Sequence, residues 1–422
     1  MSERGDDIND TDDTVDTHET DDTIAAKRPR ALAWLAENVD VTTEAGDRLR
    51  AFQGECDLSA LEAAQLLWEA FDAQPNNAAP GAVCARLEAA DSAGSFPYAA
   101  PYPYLADPSA PVVDCGTVTI GDVVVPRMGL GCMRLLSASG TVDGQGQTAL
   151  GIPHSPEAVR HALLTAVDVC GIRYFDVARG YGPWPGFAER LLHEWLSPRG
   201  TGGPRGQHVL LASKVGYGRE ASGGWYVDLD AEFLAREVDA CVAEFDGQVP
   251  LLYLVARSTP TTPVHNRPDD IARALKPLVD AQADGRVKHV GVANVTVDEL
   301  AVFQSLAPIA AVQNRFTLHS LSDADERQTF ERCAEHQIPF VAWGLFGEGA
   351  LSQGLHPAVV VDVAAELGVT PEELTLATIL STGENVVALP GPGRRQTIYS
   401  SVKGASIHLD DDVRARLMRA LG

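Results

Sequence analysis

From residue 117 onward the sequence alternates short apolar runs with amphipathic stretches of helical period, and this alternation most narrowly limits the folds open to the chain. Eight runs are legible: Met128 to Met133, Arg173 to Asp176, Val209 to Ser213, Leu251 to Val255, His289 to Ala293, Ala310 to Asn314, Pro339 to Trp343 and Val386 to Leu389. Short apolar runs separated by helices read as strands of a parallel sheet covered on both faces. Eight of them, with no GxGxxG, favour an α/β fold of the closed (β/α)8 TIM barrel type over a doubly wound open sheet. Before the first run, Thr117 to Val125 carries β-branched residues on either side of Gly121-Asp122, the pattern of an N-terminal β-hairpin.

The helices between these runs have readable ends. Ser155 serves as an N-cap with Pro156 at the first helical position, and Val159, Ala162, Leu163, Ala166, Val167 and Cys170 share one stripe that Gly171 stops. Thr370, Pro371 and Glu373 form a capping-box signature for a late helix.

The preceding segment has a different character. Residues 1–25 are dominated by Asp, Thr and Glu, and such a composition buries too little apolar area to offset chain entropy, so it reads as a disordered acidic tail. Residues 26–95 hold amphipathic stretches at Leu32 to Asn38, Asp57 to Ala73 and Ala79 to Ala90, a small all-α N-terminal module. Residues 96–116 are a Pro/Tyr-rich linker, too rich in proline for a helix or a central strand, and 117–422 is the barrel. The module is open to packing on the barrel, to self-association or to a protein partner.

Charge and cysteines exclude several functions. A formal net charge of -25 argues against nucleic acid or anionic membrane as partner. The seven cysteines are scattered without metal-ligand spacing, so no metal is expected and the thiols read as reduced. No leader-like segment and no long apolar run is present, which points to a cytoplasmic protein.

One stretch, RYFDVARGYG from Arg173 to Gly182, joins a buried strand to a glycine-punctuated loop. It sets Asp176 at a strand end and Tyr181 on the loop beyond it. Barrel enzymes gather their reactive groups at the C-terminal ends of the strands. Lys214 ends the next strand. A phenol whose ordinary pKa is about 10 donates a proton poorly at neutral pH unless a nearby ammonium favours its ionised form.

The hairpin, GLGCMRL at Gly129 to Leu135, FDVARGYG, LLASKVG around Lys214, GRVKHVGVANV at Gly285 to Val295, AAVQNRF at Ala310 to Phe316 and the closing LPGPG together resemble the aldo/keto reductase family over Thr117 to Gly422. The resemblance implies NADPH-dependent reduction, with Tyr181 as acid and Lys214 and Asp176 as its partners. It also implies that Asn294 and Gln313 bind the nicotinamide carboxamide, that Trp343 stacks on the nicotinamide, and that Gly391, Arg394 and Arg395 hold the adenosine-side phosphate, for which guanidinium forks are suited.

Four departures from the family pattern accompany these matches. The family histidine falls on Ala256, and by analogy with losing one oxyanion donor about 3 to 4 kcal/mol of transition-state stabilisation is missing. Ala293 stands for a serine, Gly344 and Leu345 for a serine and a proline, and Ser400 and Ser401 for a glutamate and an asparagine. His265 and His319 lie on the mouth side as stand-ins for the histidine, whereas His289, at a strand start, belongs to the floor.

Three functions follow. The first is NADPH-dependent reduction of a C=O, C=N or C=C bond in a small-molecule or peptide-linked substrate. The second is cofactor-independent isomerase, lyase or dehydratase chemistry by Tyr181 and Lys214. The third is a non-catalytic binding or regulatory role. Pocket walls would come from the loops Ser137 to Pro153, Gly216 to Trp225 and Ser258 to Pro268, with Trp184, Trp225 and Phe346 as apolar candidates.

Overall fold

The computed structural model describes residues 110–136, 159, 162–182, 185–196, 209–219, 225–257, 267–347 and 356–422. The acidic tail, the helical module, most of the linker, the Ser155 cap, Trp184, His265 and the loops 137–153 and 258–266 lie outside the described residues.

All eight expected strands form, in chain order around one parallel sheet: β3 (Leu130–Gly131), β4 (Tyr174–Asp176), β5 (Leu210–Val215), β8 (Val249–Val255), β9 (Val287–Ala293), β10 (Val312–Arg315), β11 (Phe340–Trp343) and β12 (Val386–Ala388). Their edges meet where Met128 bridges Ala388 in parallel and the Gly129 amide donates to the Ala388 carbonyl, so the sheet closes on itself.

Side chains alternate strictly between two cores, as the two-residue strand period requires. Tyr174, Leu210, Ala212, Leu251, Tyr253, Val255, Ala293, Ala311, Val341, Val387 and Leu389 fill the barrel interior. Their neighbours, such as Phe175, Leu211, Leu252, Val292 and Phe340, face the helices. The hairpin β1 (Thr117–Ile120) and β2 (Val123–Pro126) turns at Gly121-Asp122 and pushes Ile120 and Val125 into the interior cluster as a floor. His289, at the start of β9, meets Asp122 of that turn at 2.7 Å, which fixes it at the floor as its position in the sequence implied.

The stripe ahead of β4 is buried as expected, and its helix widens into a π turn over Thr165–Val169 before Gly171, at φ 78, stops it. Both bonds of the Thr370–Glu373 capping box are present at 3.1 Å. The end of the linker runs extended along the barrel, with the Val113 amide on the Cys170 carbonyl and the Asp114 amide on Ser406 Oγ. One element was not foreseen. Residues 216–225, expected as a loop, contribute an antiparallel ribbon of β6 (Tyr217–Arg219) and β7 (Trp225–Val227), with Tyr217 stacked on Trp225 at 4.5 Å. No helix among the described residues is long and apolar enough to cross a membrane, and no cluster there could hold a metal.

Candidate active site

Asp176 closes β4 and Lys214 lies one residue from the end of β5, so parallel pairing carries both to the same rim. The Lys214 ammonium is ion-paired with Asp176 Oδ1, donates to the Val177 carbonyl at 2.8 Å and lies 5.3 Å from the centre of the Tyr181 ring. Tyr181 reaches it because the loop turns back through a bond from the Tyr181 amide to the Ala178 carbonyl. Gly182 then adopts φ 90, where an added Cβ would lie 2.3 Å from the Phe187 ring. Trp225 meets the Tyr181 ring edge-on at 6.0 Å.

An ammonium has three donors and no acceptor, and the bonds of Lys214 to Asp176 and Val177 anchor its charge at the strand ends beside Tyr181. Burial pushes the Tyr181 hydroxyl up, Lys214 draws it back down through charge and hydrogen bond, and Asp176 adds to the rise, for a net value above the ordinary phenol. Burial works against the Lys214 charge, but Asp176 and Tyr181 outweigh it and hold the ammonium above the usual lysine range. Cys132, packed beside this group, is pushed far up by burial and stays a thiol.

A second buried network stands behind the first and was not found from the sequence. Glu189, fully buried on the Phe187–Leu196 helix, accepts from Ser213 Oγ, from Cys241 Sγ at 3.1 Å and from Arg179 Nη1 at 2.9 Å. Arg179 also donates to Glu237 at 2.9 Å. Arg179 belongs to the loop that carries Tyr181, and Ser213 precedes Lys214, so this network ties the two partners together from outside the barrel. The available signal was a glutamate on the apolar face of an amphipathic helix, where an ionised group needs partners.

The residues matched to a cofactor pocket lie on the same rim but are already bonded to one another. Asn294, just after β9 at φ 55, donates from Nδ2 to the Arg257 carbonyl at 2.9 Å and accepts at Oδ1 from the Trp343 indole at 3.1 Å. Asparagine tolerates that left-handed backbone. Gln313 directs its amide nitrogen at Asp176 Oδ2, 2.8 Å away. Gly391 and Arg394 are exposed and Arg395 opens the Arg395–Ala405 helix, so two guanidinium groups stand at a helix N-terminus, a donor set suited to phosphate. Ser400 is bonded to Glu373 at 3.1 Å and Ser401 is buried.

The histidine column offers no polar atom. Ala256 is 2% exposed and packs in the cluster between strands and helices. His319 is exposed on the short 3-10 turn Leu318–Leu321. Phe346, a candidate wall, is half-buried against the outer core.

Comparison with known proteins bears on this arrangement. An oxidoreductase of Schizosaccharomyces pombe described as uncharacterised is 29% identical over 303 residues, covering 72% of this chain and 89% of the relative. The pyridoxine 4-dehydrogenase of Escherichia coli is 25% identical over 305 residues, covering 71% and 96%. A crystal structure of an aldo-keto reductase from Klebsiella pneumoniae in complex with NADPH shares the fold, with a TM-score of 0.52 at 19% identity over 72% of this chain and 95% of that one. The profile of the aldo/keto reductase family matches residues 128–421. The chain belongs to the aldo/keto reductase family.

Proposed function

We propose that the protein is an NADPH-dependent oxidoreductase that reduces a C=O, C=N or C=C bond in a small-molecule or peptide-linked substrate, with Tyr181 as proton donor and Lys214 and Asp176 as its support. The carrying observation is that Lys214, ion-paired with Asp176 and bonded to the Val177 carbonyl, stands 5.3 Å from the centre of the Tyr181 ring at the same rim. The NADPH held by the Klebsiella pneumoniae structure and the dehydrogenase name of the Escherichia coli relative support the redox reading. The five buried free thiols among the described residues fit a reducing, cytoplasmic setting.

Bound NADPH supplies a hydride. Trp343, Asn294 and Gln313 would hold its nicotinamide end, and Gly391, Arg394 and Arg395 its phosphate end, where the exposed guanidinium and the helix N-terminus suit an anion. Tyr181 gives its proton to the atom that gains charge, Lys214 stabilises the phenolate left behind, and Asp176 keeps Lys214 charged.

Ala256 adds no second donor, so the substrate best matched to this site is one that is already electrophilic. A protonated C=N bond needs hydride placement more than proton donation. The reading is tested by following NADPH oxidation with an iminium, an enone and an aldehyde. The wild type turns over the iminium fastest, and Tyr181→Phe loses aldehyde reduction by about 10²- to 10⁴-fold while keeping part of the iminium rate. NADPH oxidation with none of the three would overturn it.

A second reading, cofactor-independent isomerase, lyase or dehydratase chemistry, is favoured by one observation: Ala256 and Ala293 carry no polar side-chain atom and are both buried. Turnover that persists unchanged after removal of all nicotinamide cofactor would select it.

A further inference from the structure

The Asp176 carboxylate, 2% exposed, has partners on both oxygens. Lys214 holds Oδ1. Oδ2 accepts from Gln313 Nε2 at 2.8 Å and, more weakly, from the Tyr174 hydroxyl at 3.5 Å. Tyr174 is in turn 3.2 Å from the Tyr253 hydroxyl, and both phenols are fully buried in the barrel. The orientation of the Gln313 amide is forced, because its oxygen turned toward a carboxylate would meet only another acceptor.

The barrel is shaped to admit this layer. A Cβ on Gly129 would lie 2.4 Å from Tyr174 Cδ1, and one on Gly291 would lie 2.5 Å from Tyr253 Cδ1. Gly129, just before β3, and Gly291 of β9 thus leave room for two phenols beneath Asp176, where most of the interior is aliphatic.

We infer that Gln313, backed by Tyr174 and Tyr253, is a positioning residue that keeps Asp176 aimed at Lys214. This deepens the reductase reading and rests on it for the purpose of the Asp176–Lys214 pair, but the contact itself does not depend on any cofactor. A carboxylate held by donors on both oxygens has one orientation, and losing the donor on Oδ2 frees it to turn away from Lys214. The other groups near Asp176 are Tyr181 on its loop, Cys132 beyond β3 and Tyr253 on β8. The donors on Oδ2 are Gln313 and, at 3.5 Å, Tyr174, and none of these three takes that place.

The test measures kcat and KM of NADPH oxidation in the full-length protein for Gln313→Met, Asp176→Asn and the double variant. Gln313→Met keeps the length of the side chain and removes its donors. We expect it to lower kcat by about tenfold in the wild-type background and to add nothing in the Asp176→Asn background, because it acts through that carboxylate. Tyr174→Phe should lower kcat less. Should Gln313→Met not fold, Gln313→Asn, which withdraws the amide by one methylene, carries the same comparison. A Gln313 variant that keeps the wild-type kcat, or that lowers it equally in both backgrounds, overturns the inference. A wild type that oxidises no NADPH defeats the reductase reading instead, and the same cycle is then read from urea unfolding, where a Gln313 effect that persists in Asp176→Asn overturns the inference.

Discussion

The Lys214 ammonium lies 5.3 Å from the centre of the Tyr181 ring. This approach sets a charge on β5 beside the phenol of the loop after β4. It also acts on the phenol in the direction opposite to burial, lowering a hydroxyl that burial and Asp176 both raise.

Replacing Lys214 by Met removes the lowering influence, so the Tyr181 phenol should titrate at higher pH than in the wild type. The proton is then held more tightly, and the alkaline limb of reduction moves upward in pH while the rate falls by about 10²- to 10⁴-fold. Ultraviolet titration of phenolate, with Tyr181→Phe as reference, checks the first statement, and kcat against pH checks the second.

Glu189 should matter for stability as well as alignment. Removing one partner of a buried ion pair costs about 3–5 kcal/mol, so Glu189→Ala should destabilise the barrel by that order in urea unfolding.

Glu189 also gives a pH signature. Burial pushes its carboxyl above the ordinary range, with Arg179, Ser213 and Cys241 opposing. The folded chain then binds this proton more tightly than the unfolded one. Its contribution is fully present below the unfolded value of about 4.3 and is lost as pH rises through the folded value. The stability of the wild type relative to Glu189→Gln should therefore improve as pH is lowered toward about 4. A difference that stays flat across that range would contradict the direction of the shift.

Much of this was legible because strands, caps and hairpin turns are local. Each strand needed only a short apolar run, and the Thr370–Glu373 box and Gly171 stop needed only neighbours. Asp176, Tyr181 and Lys214 were legible because a strand-end position implies a rim. What escaped was set by distant parts of the chain. Nothing near Gln313 indicates that Asp176 lies across the barrel from it, and nothing near Glu189 indicates Ser213 and Arg179. The β6–β7 ribbon escaped because the glycines of the stretch from Gly216 to Trp225 read as loop, while the stacking of Tyr217 on Trp225 is a cross-strand contact.

Gly291→Ala tests the phenol layer from the other side. The added methyl would meet the Tyr253 ring at 2.5 Å and the Ala311 carbonyl at 3.1 Å, so neither neighbour gives way easily. Overpacking of this kind costs about 1–3 kcal/mol. Thermal unfolding should show the loss, and Gly285→Ala, where no atom lies within 4 Å but φ is 83, separates packing from backbone strain.

The most direct trial of the reductase account is a titration of the purified protein with NADPH, following tryptophan fluorescence. Saturable quenching at micromolar NADPH, lost in Trp343→Phe and weakened about tenfold in the Arg394→Ala, Arg395→Ala double variant, is the expected result. Fluorescence that stays unchanged up to millimolar NADPH would contradict it.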